Sequence, residues 1–252
     1  MKRVIPVLLI KDGGLVKSIK FKNHKYVGDP INAVKIFNEK EVDEIVILDI
    51  SASKEKKAPN IKMITEIAGE AFMPLSYGGG ISSIEEVKNI LYQGVEKVIF
   101  NSSAINKPNL ITETATRFGS SSTVVSIDVK KNIWGQYKVF GLNGQKNTGI
   151  DVVEFAKNME NMGAGEIFLN SIDRDGTFSG YDIPLIKTIS DKVTIPVIAC
   201  GGAKSEVDLA QAINEGNASG VAAGSMFVFQ GIHRAVLISY PNWKEIQSQF
   251  NK

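Results

Sequence analysis

The sequence predicts a single α/β domain, a (β/α)8 TIM barrel over residues 1–252, and three observations predict it. Short apolar runs alternate with helix-like stretches eight times in 252 residues, which is the length such a barrel needs. The first run, residues 3–10 (RVIPVLLI), is continuously apolar after Arg3, as a strand covered on both faces must be. The chain also repeats itself. Residues 74–80 (PLSYGGG) return as 196–202 (PVIACGG), 44–48 (EIVIL) as 166–170 (EIFLN), and 98–103 (VIFNSS) as 220–225 (GVAAGS). Each pair is 122 residues apart, close to half the chain, so we read a half-barrel internal duplication. An open doubly wound sheet uses the same βα units, but two equal halves suit a closed barrel better than a sheet with unequal edges.

The elements follow in order. After the first strand comes a long loop, 11–29, carrying Lys17, Lys20, Lys22 and Lys25. Asp29-Pro30 starts a helix running to about Lys40, with Asp at the cap and Pro in the first turn. The second strand is 44–50, and Pro59 opens the second helix. The third strand is 74–77, with a helix after Ser82-Ser83; the fourth is 96–101, with Pro108 opening its helix. The fifth strand, 123–128, leads into 129–149, where Trp134-Gly135 and Asn143-Gly144 mark turns of a β-hairpin excursion over the barrel top. A helix at 151–162, a strand at 166–170 and a helix headed by Asp182 come next. Strand 196–200, helix 205–215, strand 219–223 and a last helical segment near 231–249 complete the chain.

Composition narrows the function. A net charge of +2 gives no strong pull on a polyanion, so no nucleic-acid partner is expected. After Met1, Lys2 and Arg3 only seven apolar residues precede Lys11, too few for a membrane span. One cysteine, Cys200, allows no intrachain disulfide and fits a cytoplasmic location. His24 and His233 have no metal-ligand spacing with each other or with Cys200, so no metal and no cofactor are expected.

Barrel enzymes work at the C-terminal ends of their strands. There the sequence places Asp49, Ser76, Gly79, Gly80, Asn101, Ser102, Asp128, Asn170, Asp173, Asp175, Gly176, Gly201, Gly202, Gly224 and Ser225. Glycines let backbone N–H groups approach an anion. The repeat therefore predicts two phosphate sites across one mouth, near Gly80–Asn101–Ser102 and near Gly202–Gly224–Ser225. A ligand phosphorylated at both ends would suit them.

Several stretches together resemble the cyclase subunit of imidazole glycerol phosphate synthase. They are KDG at 11–13, GDP at 28–30, LDI at 48–50, GGGI at 78–81, SIDRDGT at 171–177 with SGYD at 179–182, and ACGGA at 199–203. The resemblance covers nearly the whole chain. It implies a barrel that takes ammonia from a separate glutaminase subunit and reacts it with a bis-phosphorylated ribonucleotide. Two aspartates serve as general acid and base in that family. The second corresponds to Asp128 in SIDVK at 126–130; the first corresponds to Leu9, which cannot transfer a proton. Asp12 lies in the neighbouring KDG and is expected to point elsewhere.

The resemblance also implies a ring of four charges at the bottom of the barrel, gating an ammonia tunnel: Arg3, Glu44, Lys97 and Glu166. The stretches at 21–32 (FKNHKYVGDPIN) and 37–43 (FNEKEVD) resemble a divergent branch associated with sugar amidation in surface-glycan (lipopolysaccharide) synthesis. Three functions stay open at this point: an ammonia-conducting subunit serving a sugar amidotransferase, a histidine-pathway cyclase, and a noncatalytic phosphate-ligand-binding activator of the glutaminase. The kept charge ring favours the first and Leu9 weighs against the second.

Overall fold

In the computed structural model, which describes residues 2–241 and residue 250, the N-terminal apolar run becomes β1 (Arg3–Lys11). The chain then turns back at once into β2 (Gly14–Ile19) and β3 (Lys22–Gly28), an antiparallel excursion whose first strand pairs Val16 with Leu9 of β1. The sequence reading gave this segment as a loop. Its first turn is built on Asp12 and Gly13, both at positive φ, the turn type that Asp-Gly favours between strands. Its second turn puts Lys20 and Phe21 at φ 53° and 62°, without the glycine that normally marks such a turn.

The remaining units follow the expected rhythm. α1 (Pro30–Glu39), β4 (Ile45–Asp49), a short α2 (Ala52–Glu55), α3 (Ile61–Glu70), β5 (Leu75–Gly78), α4 (Ile84–Leu91), β6 (Lys97–Phe100), a short α5 (Ser102–Asn106) and α6 (Asn109–Phe118) complete the first half. The second half is β7 (Thr123–Lys131), β8 (Tyr137–Gly141), β9 (Lys146–Asp151), α7 (Val152–Asn161), β10 (Glu166–Ser171), α8 (Ile183–Ser190), β11 (Val197–Cys200), α9 (Glu206–Asn214), β12 (Gly220–Ala223) and a short α10 (Ser225–Val228). The expected hairpin over 129–149 is present as the far part of β7 with β8 and β9. At the C-terminal end, β13 (Phe229–Gln230) and β14 (Ala235–Val236) form a small hairpin where a helix was expected from residue 231; residues 242–249 of that segment lie outside the described residues.

Eight strands pair in parallel in the order β1, β4, β5, β6, β7, β10, β11, β12, and β12 pairs back to β1, so the sheet closes. Closure leaves the barrel strands without an unpaired edge. Helix starts repeat at the half-chain spacing. Asp29 and Asp151, Asn60 and Asp182, and Ser83 and Ser205 are N-caps in matching positions, each pair 122 residues apart. The second helix therefore starts at its cap Asn60, whose side chain accepts the Met63 N–H; Pro59 only precedes it.

Two apolar layers result. Residues such as Phe37, Ile47, Ile64, Phe100 and Phe227 fill the space between strands and helices. Inside the barrel, Ile5, Val7, Val46, Ile99, Val124, Phe168, Ile198 and Ala222 form a separate core, with Leu9, Leu48 and Cys200 packed on its upper end. Side chains alternate along a strand, so Arg3, Ile5, Val7 and Leu9 face the bore in succession. Arg3 ends up at the bottom and Leu9 at the mouth. Among the described residues, no helix is long and apolar enough to cross a membrane.

Candidate functional site

At the bottom, four charges from β1, β6, β10 and the approach to β4 close a ring. The Arg3 guanidinium bonds Glu44 Oε2 with Nη1 and Glu166 Oε2 with Nη2. Lys97 Nζ lies 3.0 Å from Glu44 Oε2 and 3.5 Å from Glu166 Oε1. Cations and anions thus alternate. Glu44 and Glu166 are buried, and such carboxylates survive only when each is paired and hydrogen-bonded. Burial alone would lower the pKa of Arg3, but Glu166 and Glu44 outweigh it and hold it above its ordinary value. Ser76 also belongs here. Its hydroxyl donates to Glu44 Oε1 at 2.7 Å, so it sits near the ring and not at the mouth where the sequence reading put it. Register explains the placement: Ser76 pairs with Lys97, the first residue of β6.

At the other end a cavity opens at the barrel mouth. It is lined by Leu9, Asp49, Gly79, Gly80, Asn101, Ser102, Asp128, Asn170, Asp175, Gly224 and Ser225, all named from sequence. Gly176, Gly201 and Gly202 are not in the lining. The missing Cβ of each makes room for other chain: Ser18 O at Gly176, Ser171 O at Gly201, Gly180 O at Gly202. Asp173 is also elsewhere, accepting the Lys131 N–H, and Asp12 is exposed in its turn. Gly80, Asn101 and Ser102, the residues named for the first phosphate site, thus line one cavity together. Of the residues named for the second, Gly224 and Ser225 line the cavity and Gly202 does not, and the Lys17 ammonium of β2 lies beside Gly224.

Asp128 is buried beneath the mouth. Asn101 Nδ2 donates to its Oδ2 at 3.1 Å and Asn170 Nδ2 to its Oδ1 at 3.3 Å. Burial pushes its pKa up to about 7; the Asp175 charge adds to this, and the bonds from Asn170 and Asn101 oppose it. A carboxyl so poised can give or take a proton near neutrality. Burial likewise raises the Asp175 carboxyl, against the pull of Lys17 and the Ser18 hydroxyl. Burial also pushes the Cys200 thiol up, keeping it a protonated, unreactive group.

The residue that sequence reasoning missed is Lys17. It was one of four lysines in a supposed loop. In β2 its side chain is buried, Nζ donates to Val7 O at 2.6 Å, and it lines the mouth cavity. Burial lowers its pKa to about 8, with Asp175 and Cys200 resisting. The signal was available: Asp12-Gly13 marks a hairpin, and alternation from Leu15 then turns Lys17 inward with it. Asn170 Oδ1 is a second feature of interest, a buried acceptor with no hydrogen-bond partner. Such an atom costs about 1–3 kcal/mol unless a ligand supplies the missing donor.

Comparison with known proteins agrees with this architecture. Residues 3–233 match the family model described as "Histidine biosynthesis protein". A Pseudomonas aeruginosa protein named "Putative imidazole glycerol phosphate synthase subunit hisF2" is 54% identical over 241 residues, 96% of each chain. One from Vibrio vulnificus named "Putative imidazole glycerol phosphate synthase subunit hisF3" is 48% identical over 244 residues, 96% of this chain and 94% of its own. The Alkaliphilus metalliredigens "Imidazole glycerol phosphate synthase subunit HisF" is 42% identical over 231 residues, 92% of each. With the closed barrel, the charge ring and the glycine-lined mouth in place, the chain belongs to the histidine biosynthesis protein family, among its HisF-type synthase subunits.

Proposed function

We propose that this HisF-type chain is a cytoplasmic subunit that takes ammonia from a glutaminase docked on its bottom face. It conducts the ammonia through the bore for amidation of a sugar in surface-polysaccharide synthesis. The observation that carries the reading is the combination of an intact ring of Arg3, Glu44, Lys97 and Glu166 with leucine at position 9. Above the ring the bore is apolar. Neutral ammonia crosses such a layer cheaply, whereas an ammonium ion does not. At the top, the unpartnered Asn170 Oδ1 and the near-neutral Asp128 offer acceptors for its N–H groups. Leu9 removes one proton-transfer group from the cyclisation chemistry that the family resemblance implies. The names hisF2 and hisF3 number two relatives as additional synthase subunits, which fits a role beside a histidine-pathway enzyme.

The test supplies the purified chain with ammonium salt and the bis-phosphorylated ribonucleotide of the cyclase reaction. Loss of one acid–base group predicts turnover roughly 10²–10⁴-fold below a subunit that carries the aspartate. A second arm combines the chain, its glutaminase and a sugar amidotransferase, and follows isotope from the glutamine amide into the sugar. Cyclase turnover at an ordinary biosynthetic rate, with no label in the sugar, would replace this reading with the histidine-pathway one.

A further inference from the structure

Beside the mouth lies a second cleft of about 340 Å³, lined by Lys56, Lys57, Lys107, Ser82, Ser102 and Ser103 among others. It shares a wall with the mouth cavity: Ser53, Gly80, Ile81, Ser102 and Ser103 line both. A group held at Gly80 and Ser102 therefore stands between the two spaces. We propose that the ligand end bound there carries two linked phosphoryl groups, the first at Gly80–Ser102 and the second in the lysine-lined cleft. This rests on reading Gly80, Asn101 and Ser102 as a phosphate site.

Three features support it. The lysines come from two separate segments, the residues after α2 and the residue after α5, and both close on Gly80–Ser82. Lys107 Nζ bonds Ser82 O at 3.3 Å, which holds it against the cleft wall. Lys56 takes a left-handed conformation (φ 55°), turning the chain so that Lys57 O lies 2.6 Å from where a Gly80 Cβ would stand. A side chain at 80 would push the lysine segment away, so the glycine serves the cleft as well as the mouth. The one lining carboxylate, Glu86, is occupied by the N–H groups of Ser82 and Ser83 and the Ser82 hydroxyl. Lys57 pairs with Glu55 at 2.5 Å, which leaves Lys56 and Lys107 as the cations placed for a ligand.

The duplication supplies an internal comparison. The positions 122 residues beyond Lys56, Lys57 and Lys107 hold Phe178, Ser179 and Phe229. Gly202 is crowded by backbone as Gly80 is, by Gly180 O in place of Lys57 O, but the lysines have no counterpart there. Lysines in one half alone are not required by the repeated fold. They fit a ligand whose two ends differ, one of them a diphosphate, as in a nucleoside diphosphate conjugate.

Calorimetric titration of the full chain with inorganic phosphate, pyrophosphate and ADP tests this. Pyrophosphate and ADP should bind about tenfold more tightly than phosphate, the gain of one charge-assisted contact pair. Lys56→Gln with Lys107→Gln should abolish that preference by weakening pyrophosphate and ADP about tenfold more than phosphate, and an unchanged thermal melt reports that the variant is folded. Phosphate binding with no preference for pyrophosphate would overturn the cleft assignment alone. So would equal loss of both anions in the double variant. Binding of neither anion by the parent chain would overturn the phosphate site and the cleft together.

Discussion

Lys97 grips Glu44 through both carboxylate oxygens, its Nζ lying 3.2 Å from Oε1 and 3.0 Å from Oε2. The same carboxylate takes Arg3 and the Ser76 hydroxyl, so Glu44 is the most connected member of the ring. Lys97 retains 16% of its side-chain exposure, and a part-exposed partner contributes less than a fully buried one.

Lys97→Ala should therefore destabilise the barrel by about 1–3 kcal/mol, below the 3–5 kcal/mol of a fully buried pair. Thermal melts read this loss. If the ring passes ammonia, glutamine-dependent amidation falls severalfold more than activity with added ammonium salt. Equal loss with both nitrogen sources would leave the ring a structural bracket only.

Asp128 makes stability depend on pH in a defined direction. Its folded pKa of about 7 lies above the ordinary 3.8, so the folded chain binds more protons than the unfolded one between those values. Stability from this group is fully present below about pH 4, falls as pH rises towards 7, and levels off above. The full difference is on the order of 4 kcal/mol. Asp128→Asn should flatten this slope in urea titrations at a series of pH values. A slope unchanged by the substitution would mean that Asp128 is ionised in the fold at neutral pH.

Much of this was legible because barrel strands and helix caps write themselves locally. The cap Asp29 and the helix start after Ser82-Ser83 are signals a few residues long, and both are used as written. The charge ring was legible only through the family resemblance; strand starts alone read equally well as unconnected solvated charges. What was hidden depended on contacts across the sequence. Ser76 looked like a mouth residue until its pairing with Lys97 placed it at the bottom. Gly176, Gly201 and Gly202 matched the glycine pattern, yet they lie outside the cavity lining, a placement set by the tertiary fold and not by any local pattern. Lys17 had a local signal in Asp12-Gly13, but the return turn at Lys20-Phe21 lacks a glycine, so the hairpin read as a loop.

Gly79 and Gly135 separate crowding from conformation. Both have positive φ, 127° and 76°. A Cβ at Gly79 would stand 2.4 Å from Asp49 O, whereas one at Gly135 meets nothing within 4 Å. Gly135→Ala should cost about 1 kcal/mol from backbone strain alone. Gly79→Ala must also move β4 against β5, so its urea midpoint should fall at least twice as far. Equal shifts would show that Gly79 is not tightly packed against Asp49.

Leu9 sets the last prediction. It lines the same cavity as Asp128, packed on the barrel's inner core beside Leu48 and Cys200. Leu9→Asp would place a carboxyl in a cavity that already holds Asp128 and Asp175. Like charges and partial burial raise its pKa, giving a pair of carboxyls whose proton affinities differ, as acid–base catalysis requires. The substitution removes apolar packing, so a fall of several degrees in Tm is expected. Turnover of the bis-phosphorylated ribonucleotide with ammonium should nonetheless rise tenfold or more over the parent. Leu9→Asn has the same shape and no titratable proton, and it should show the Tm loss without the gain. If Leu9→Asp and Leu9→Asn are equally inactive, the missing carboxyl is not what separates this chain from a cyclase, and the β2 strand that carries Lys17 over the mouth becomes the element to alter next.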